Sequence, residues 1–259
     1  MILAIDTGGT KTLFAVVDGD RIVREEKVPT PASEREYIEL LKSHADFITP
    51  DVTAIVLAAP ADIEDGVIKY AANLSWRDFN VKTELSALAP ENLPIYVIND
   101  AKLAALGVST GAGRDLYLTL STGIGAGLTI DGKLSQDLNS LEVGHAVVDG
   151  REWESLASAK AFVERYGRYG SDVPADDPAW SEYAADVAKG LLYLIPILRP
   201  DRIFFGGPMG HNLSKFSGEL SQIVDSELSR QFTRPKLLPA SDPERAVVMG
   251  ATRYVENNR

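Results

Sequence analysis

Two short stretches set threonine and glycine at the tip of an apolar strand: Asp6-Thr7-Gly8-Gly9-Thr10-Lys11 and Ser121-Thr122-Gly123-Ile124-Gly125. Glycine lacks the Cβ that blocks close approach to a backbone, so such a tip can turn several N–H groups toward an anion. It is also the ordinary residue for closing a hairpin, and the residues alone leave both readings open. Two copies with one Thr-Gly signature favour the anion, and two such tips facing one another would hold a polyphosphate from both sides. A third position is Asp100, in Val97-Ile98-Asn99-Asp100-Ala101, where an apolar strand meets a helix start. Ligands of layered α/β domains collect at the carboxyl ends of strands. Aspartate at that place also makes a good N-cap, and the two roles are compatible.

Spacing excludes the two commonest phosphate motifs. The P-loop needs glycine directly before lysine, whereas Thr10 precedes Lys11 and the chain continues as a strand. The dinucleotide fingerprint needs G-x-G-x-x-G opening a helix, whereas Gly123, Gly125 and Gly127 run G-x-G-x-G into Leu128-Thr129-Ile130.

The elements that must position these residues follow from periodicity. Residues 2–6, 12–18 and 21–28 read as strands. A helix follows from an N-cap at Ser33, with Glu36 three residues on and Tyr37, Leu40, Leu41, His44 and Phe47 on one face. Buried strands are expected in Thr53-Ala54-Ile55-Val56-Leu57-Ala58-Ala59 and over 94–98, the second running into a helix near Asp100. Residues 116–134 repeat the opening in outline, so the chain reads as internally duplicated. Further on come a helix around 154–166, a loop near 168–178, a long helix from Trp180 to Leu198 carrying Pro196, a strand at Arg202-Ile203-Phe204-Phe205 and a last helix from Pro243. This order predicts an α/β layered fold.

Composition narrows the partners. The 259 residues are 45% hydrophobic, enough to fill a core. A net charge of −11, with no lysine and arginine cluster, argues against a nucleic-acid surface. The absence of cysteine excludes disulfides and thiolate metal sites. The N-terminus turns polar after five residues, too soon for a secretory segment, and no apolar run approaches a membrane span. The expectation is a cytoplasmic protein with neither nucleic acid nor membrane as partner.

Six motifs in order, Ile5-Asp6-Thr7-Gly8-Gly9-Thr10-Lys11, Asn99-Asp100-Ala101-Lys102, Leu120-Ser121-Thr122-Gly123-Ile124-Gly125, Glu142-Val143-Gly144-His145, Glu154-Ser155-Leu156-Ala157-Ser158 and Phe205-Gly206-Gly207-Pro208, together resemble the ROK sugar kinases of the actin/hexokinase/Hsp70 superfamily. The resemblance implies a two-domain actin-like ATPase (ribonuclease H-like) fold, with duplicated β-hairpin/α units and a cleft between the domains. The smaller domain would be 1–110, joined by the C-terminal helix 244–259, and the larger 111–243. It implies ATP and Mg²⁺, a hexose or N-acetylhexosamine acceptor and a homodimer. Asp100 would be the general base. Asn73, Asn99, Glu142, His145 and Glu154 would bind the sugar with it. Asp6, Gly8, Gly9, Thr10 and Lys11 would face the phosphates, Asp6 holding Mg²⁺ through water. Thr122, Gly123 and Gly125 would cradle the phosphates from the other domain, and Gly206 and Gly207 would make room for adenosine.

Members of that family commonly carry a zinc site made by the histidine of the Glu-x-Gly-His motif and three cysteines. Here the corresponding loop is Ala146-Val147-Val148-Asp149-Gly150-Arg151-Glu152-Trp153-Glu154, without cysteine, and no structural zinc is expected. The sugar segment is then either held by packing around Trp153 or looser and less selective. The alternatives are a catalytically silent sugar- or nucleotide-binding protein, a sugar-responsive regulator, and an ATPase or carboxylate kinase of the same superfamily. Regulators carry a helix-turn-helix ahead of the first hairpin, whereas this sequence opens on the hairpin strand itself.

Overall fold

The computed structural model describes residues 1–71, 74–135, 141–240 and 243–258. The chain divides into two compact units, Met1–Gly107 with Glu244–Arg259, and Val108–Pro243.

In the first unit, strands β1 (Ile2–Thr7), β2 (Lys11–Asp18) and β3 (Arg21–Pro29) form an antiparallel meander. Helix α1 (Glu34–Ser43) leads to β4 (Ile55–Ala59), which pairs in parallel with β1. A small antiparallel sheet, β5 (Asp62–Glu64), β6 (Val67–Ala71) and β7 (Trp76–Phe79), precedes α2 (Val81–Leu88). Then β8 (Ile95–Asn99) pairs in parallel with β4 and gives way at once to α3 (Asp100–Val108). The main sheet has the order β3-β2-β1-β4-β8. Strand β4 is apolar at every position and buried throughout, as a central parallel strand must be. The edge strand β3 carries Arg24, Glu25, Glu26 and Lys27, charges that discourage further pairing.

Helix α1 starts as its sequence predicts. Ser33 Oγ accepts from the Glu36 N–H at 3.3 Å and donates to the Glu36 carboxylate at 2.8 Å, a cap worth about 1 kcal/mol. It ends at Ser43, and Phe47 reaches the core from a separate 3₁₀ turn, because His44 leaves the helical conformation and stacks on Phe14.

The second unit repeats the first. Strands β9 (Arg114–Leu120), β10 (Ile124–Ile130) and β11 (Lys133–Leu134) form the meander. A short hairpin, β12 (Val147–Val148) and β13 (Arg151–Glu152), precedes the helices α4 (Glu154–Ala157), α5 (Ala159–Tyr166) and α6 (Ala179–Leu198). Strand β14 (Arg202–Gly206), the helical turn α7 (Gly207–Gly210), α8 (Ser217–Glu227) and β15 (Lys236–Pro239) complete the unit, and α9 (Pro243–Asn257) belongs, from Glu244 on, to the first. The sheet order β11-β10-β9-β14-β15 has the same sequence of antiparallel and parallel pairings as the first sheet. The duplication expected from two Thr-Gly hairpins is therefore a duplication of whole sheets.

The helix expected over 154–166 is two helices. Ser158 takes an extended conformation and its Oγ caps α5 by accepting from the Ala161 N–H at 3.0 Å. The face of α6 that spacing predicts, Tyr183, Val187, Leu191, Leu194, Ile195 and Leu198, is buried except at Leu194, which is half-buried. Each unit has its own core, around Phe14, Tyr37 and Trp76 in the first and around Trp153, Phe162, Trp180 and Phe216 in the second. Among the described residues no helix is long and apolar enough to cross a membrane.

Candidate active site

The first glycine turn joins β1 to β2, and its geometry is set from outside. The Thr30 hydroxyl donates to the Gly8 carbonyl at 2.8 Å, and the Thr30 N–H donates to the Thr10 carbonyl at 3.0 Å. Thr12 Oγ1 lies 2.9 Å from the same Thr30 hydroxyl. Across a trans peptide the carbonyl and the next N–H point opposite ways, so tying the Gly8 carbonyl to Thr30 turns the Gly9 N–H outward. Beneath the turn the buried Thr7 hydroxyl meets the Tyr37 hydroxyl at 2.6 Å. Burial pushes the Tyr37 phenol well above the ordinary tyrosine range, and the hydrogen bond to Thr7 offsets part of that. Gly8 is half-buried, while Gly9, Thr10 and Lys11 are exposed. Asp6, at the end of β1, is half-buried beside this turn. A glycine tip with an outward N–H and a neighbouring carboxylate suits an anionic phosphate and its Mg²⁺.

The second turn, between β9 and β10, is held in a related way. The Ser121 carbonyl accepts from the Ala159 N–H at 2.7 Å and from the Lys160 N–H at 3.3 Å, the first amides of α5. That contact turns the Thr122 N–H outward by the same peptide argument. Thr122 is exposed, and Gly123 and Gly125 are half-buried.

Asp100 opens α3 at the carboxyl end of β8, but it is not the cap that spacing also allowed. Asn99 Oδ1 accepts from the Ala101 N–H at 3.0 Å and from the Lys102 N–H at 3.3 Å. Asn99 Nδ2 donates to the Ala61 carbonyl at 3.2 Å, leaving one amide hydrogen for a ligand. Asp100 Oδ1 accepts from the Ala101 N–H at 2.8 Å, a contact that helps orient the carboxylate.

His145 and Glu154 come together in the second unit at a 3₁₀ turn, Val143–His145, which Glu142 precedes. Glu154 Oε2 accepts from the Ile124 N–H at 3.3 Å. A Cβ on Gly123 would stand 2.5 Å from that oxygen and one on Gly144 2.8 Å from it, so two bare Cα atoms form its slot. His145 Nδ1 lies 3.4 Å from Glu152 and 4.0 Å from Glu154. Glu142 is exposed, and its carbonyl accepts from the His145 N–H at 3.2 Å.

One imidazole and two carboxylates, with donor atoms all within 4.8 Å of one another, form the one such cluster among the described residues. They do not fit a closed structural zinc. The chain has no thiolate to complete a fourfold shell, and Glu154 Oε2 already serves the Ile124 amide.

Gly206 ends β14 and Gly207 follows at φ +72°. A Cβ on Gly206 would stand 2.0 Å from the Tyr117 hydroxyl, and one on Gly207 2.7 Å from the Leu120 carbonyl, so packing inside the unit requires both glycines. Asn73 lies outside the described residues. Sequence reasoning missed Thr30, which sits beyond the end of β3 with no motif of its own. It also missed Gly144, although the Glu-x-Gly-His spacing holds it.

The comparisons agree on one family. The ROK family model matches residues 2–258. A fructokinase of Pediococcus pentosaceus is 28% identical over 232 residues, covering 79% of this chain and 78% of that one. A putative fructokinase of Bacillus subtilis is 29% identical over 247 residues, covering 84% and 80%. Among solved structures, a ROK family glucokinase from Streptomyces griseus in complex with glucose and AMPPNP superposes with a TM-score of 0.80 at 22% identity, covering 97% and 98%.

Proposed function

The chain belongs to the ROK family, and we propose that it is a sugar kinase transferring the γ-phosphoryl group of ATP to a hydroxyl of a hexose or N-acetylhexosamine. One observation carries the reading furthest. Asp100 stands at the carboxyl end of β8, where ligands of layered α/β domains collect, directly after the Asn99 that caps α3. Curated relatives named fructokinase and a fold shared with a glucokinase bound to glucose and AMPPNP support the same class.

In this reading Asp100 takes the proton from the acceptor hydroxyl as its oxygen attacks the γ-phosphorus. The new O–P bond forms while the bond to the β-phosphate oxygen breaks, leaving ADP and a sugar phosphate. A positioned base contributes about 100- to 10,000-fold in rate. Phosphoryl transfer otherwise needs positioning and neutralisation of charge. Mg²⁺, when bound, supplies part of that neutralisation, and Asp6 is the residue we assign to it, through water. The outward amides of Gly9 and Thr122, with Gly8, Thr10, Lys11, Gly123 and Gly125, receive phosphate oxygens, and Gly206 and Gly207 border the adenosine. Glu142, His145 and Glu154 accept hydrogen bonds from or donate them to sugar hydroxyls. Asn73 and Asn99 complete the set, Asn99 through its remaining amide hydrogen. We place the enzyme in the cytoplasm as a homodimer.

The test is a coupled assay of ADP release with Mg-ATP against glucose, fructose, mannose and the N-acetylhexosamines. Turnover with one of them establishes the activity and names the acceptor. Absence of turnover with all of them favours the silent binding protein.

A further inference from the structure

Between His145 and Glu154 the chain runs out through the β12–β13 hairpin and returns at Trp153. That residue is fully buried. Its Nε1–H donates to the Asp186 carbonyl of α6 at 3.0 Å. Its ring lies against Gly190, one turn along the same helix, so closely that a Cβ there would stand 2.1 Å from a ring carbon. Glycine inside a helix is disfavoured against alanine. The indole is the reason for it here.

The backbone of Trp153 joins the two halves of the segment. Its N–H donates to the Ala146 carbonyl at 2.9 Å, one residue beyond His145. Its carbonyl accepts from the Leu156 and Ala157 N–H groups at 3.0 and 2.9 Å, fixing the short helix whose first residue is Glu154. Lys189 adds a second tie from α6, reaching Asp149 at 3.0 Å and Asp186 at 2.9 Å. Asp149 is exposed, so that tie is weak. The indole is the main anchor, and Asp186 beneath it is buried and paired with Arg165 at 2.5 Å.

We propose that the Trp153 indole seated in the Gly190 notch of α6 is the device that positions His145 and Glu154 for the sugar, making both Trp153 and Gly190 positioning residues for acceptor recognition. The inference rests on the sugar-kinase reading. Sugar hydroxyls are told apart by hydrogen bonds whose partners must be held within about 0.5 Å. A rigid ring wedged on a helix backbone meets that demand. It also gives a cysteine-free loop the order its two ligands require.

The experiment compares Gly190→Ala, Trp153→Phe and their combination with Leu198→Ala, which weakens α6 two turns away. Gly190→Ala is expected to raise the sugar KM about tenfold or more while the Mg-ATP KM stays within about twofold. Adding Trp153→Phe, whose smaller ring relieves the clash, is expected to restore part of the loss, and Leu198→Ala to lower Tm without separating the two KM values. Should Gly190→Ala fail to fold, Trp153→Phe alone is expected to raise the sugar KM selectively. The proposal is overturned if sugar and Mg-ATP KM move together as in Leu198→Ala, if neither moves, or if the double variant binds sugar worse than Gly190→Ala. If the unaltered chain phosphorylates no sugar, the kinase reading falls by itself. The anchor is then judged by amide hydrogen exchange over residues 145–156, which Gly190→Ala accelerates if the indole holds the segment and leaves unchanged if it does not.

Discussion

The Glu154 carboxylate lies too close to Gly123 to admit a Cβ there without shifting: Oε2 would stand 2.5 Å from it. The carboxylate packed from within is one reason for a glycine in the second hairpin, and the proposed approach of a phosphate from outside would be a second. Gly123→Ala is therefore expected to raise the KM for sugar as well as for Mg-ATP, the former by about tenfold. A role confined to phosphate would move the nucleotide KM alone.

Thr30 has no place in any motif, yet it holds the Gly8 and Thr10 carbonyls of the first hairpin. Thr30→Val removes the hydroxyl and keeps the backbone N–H. A net hydrogen bond of about 0.5–1.5 kcal/mol corresponds to roughly a two- to tenfold rise in Mg-ATP KM. The sugar KM is expected to stay put and Thr30→Ser to restore the nucleotide KM. Titration of both substrates against the three proteins checks this.

The difference between Gly123 and Thr30 also explains what could be read in advance. The Thr-Gly turns, the buried strand before Asp100 and the face of α6 are local patterns, and the sheets form where those patterns put them. The latch from Thr30 to Gly8 spans 22 residues, and the notch from Trp153 to Gly190 spans 37 (190 − 153), so no local period records either. The small β5–β7 sheet escaped for another reason. Its strands are only three to five residues long, too short for alternation to register, and Ser75 before β7 takes a positive φ that serine seldom adopts; the Asp65-Gly66 turn between β5 and β6 was legible in principle. The break between α4 and α5 was legible in principle, since Ser158 followed by Ala161 is an ordinary cap spacing.

Tyr37 and Tyr183 are buried, and burial holds both phenols un-ionised well above the ordinary range; the Thr7 hydrogen bond lowers Tyr37 part of the way back, while the nearby Asp186 charge adds to the rise at Tyr183. The unfolded chain ionises these groups at about pH 10, before the folded one does. Their contribution to stability is therefore complete at neutral pH and is lost as pH climbs past about 10. An alkaline spectrophotometric titration is expected to find tyrosines withheld until the chain unfolds, and Tm to fall steeply over the same interval. Free titration of all nine tyrosines in the folded protein would contradict this.

The His145, Glu152 and Glu154 cluster offers too few donors for a closed zinc shell. Purified protein is expected to contain no stoichiometric zinc. Chelation is expected to stop turnover by withdrawing Mg²⁺ while leaving Tm unchanged. One zinc per chain, removed together with the fold, would be the opposite result.

The proposed role of Asp100 as the base is tested by the turnover of Asp100→Ala on whichever sugar the unaltered chain phosphorylates, with calorimetric binding of sugar and ATP alongside. With Asp100 as the base, kcat falls by about 100- to 10,000-fold while both ligands still bind. A variant turning over within about threefold of the unaltered chain would contradict it.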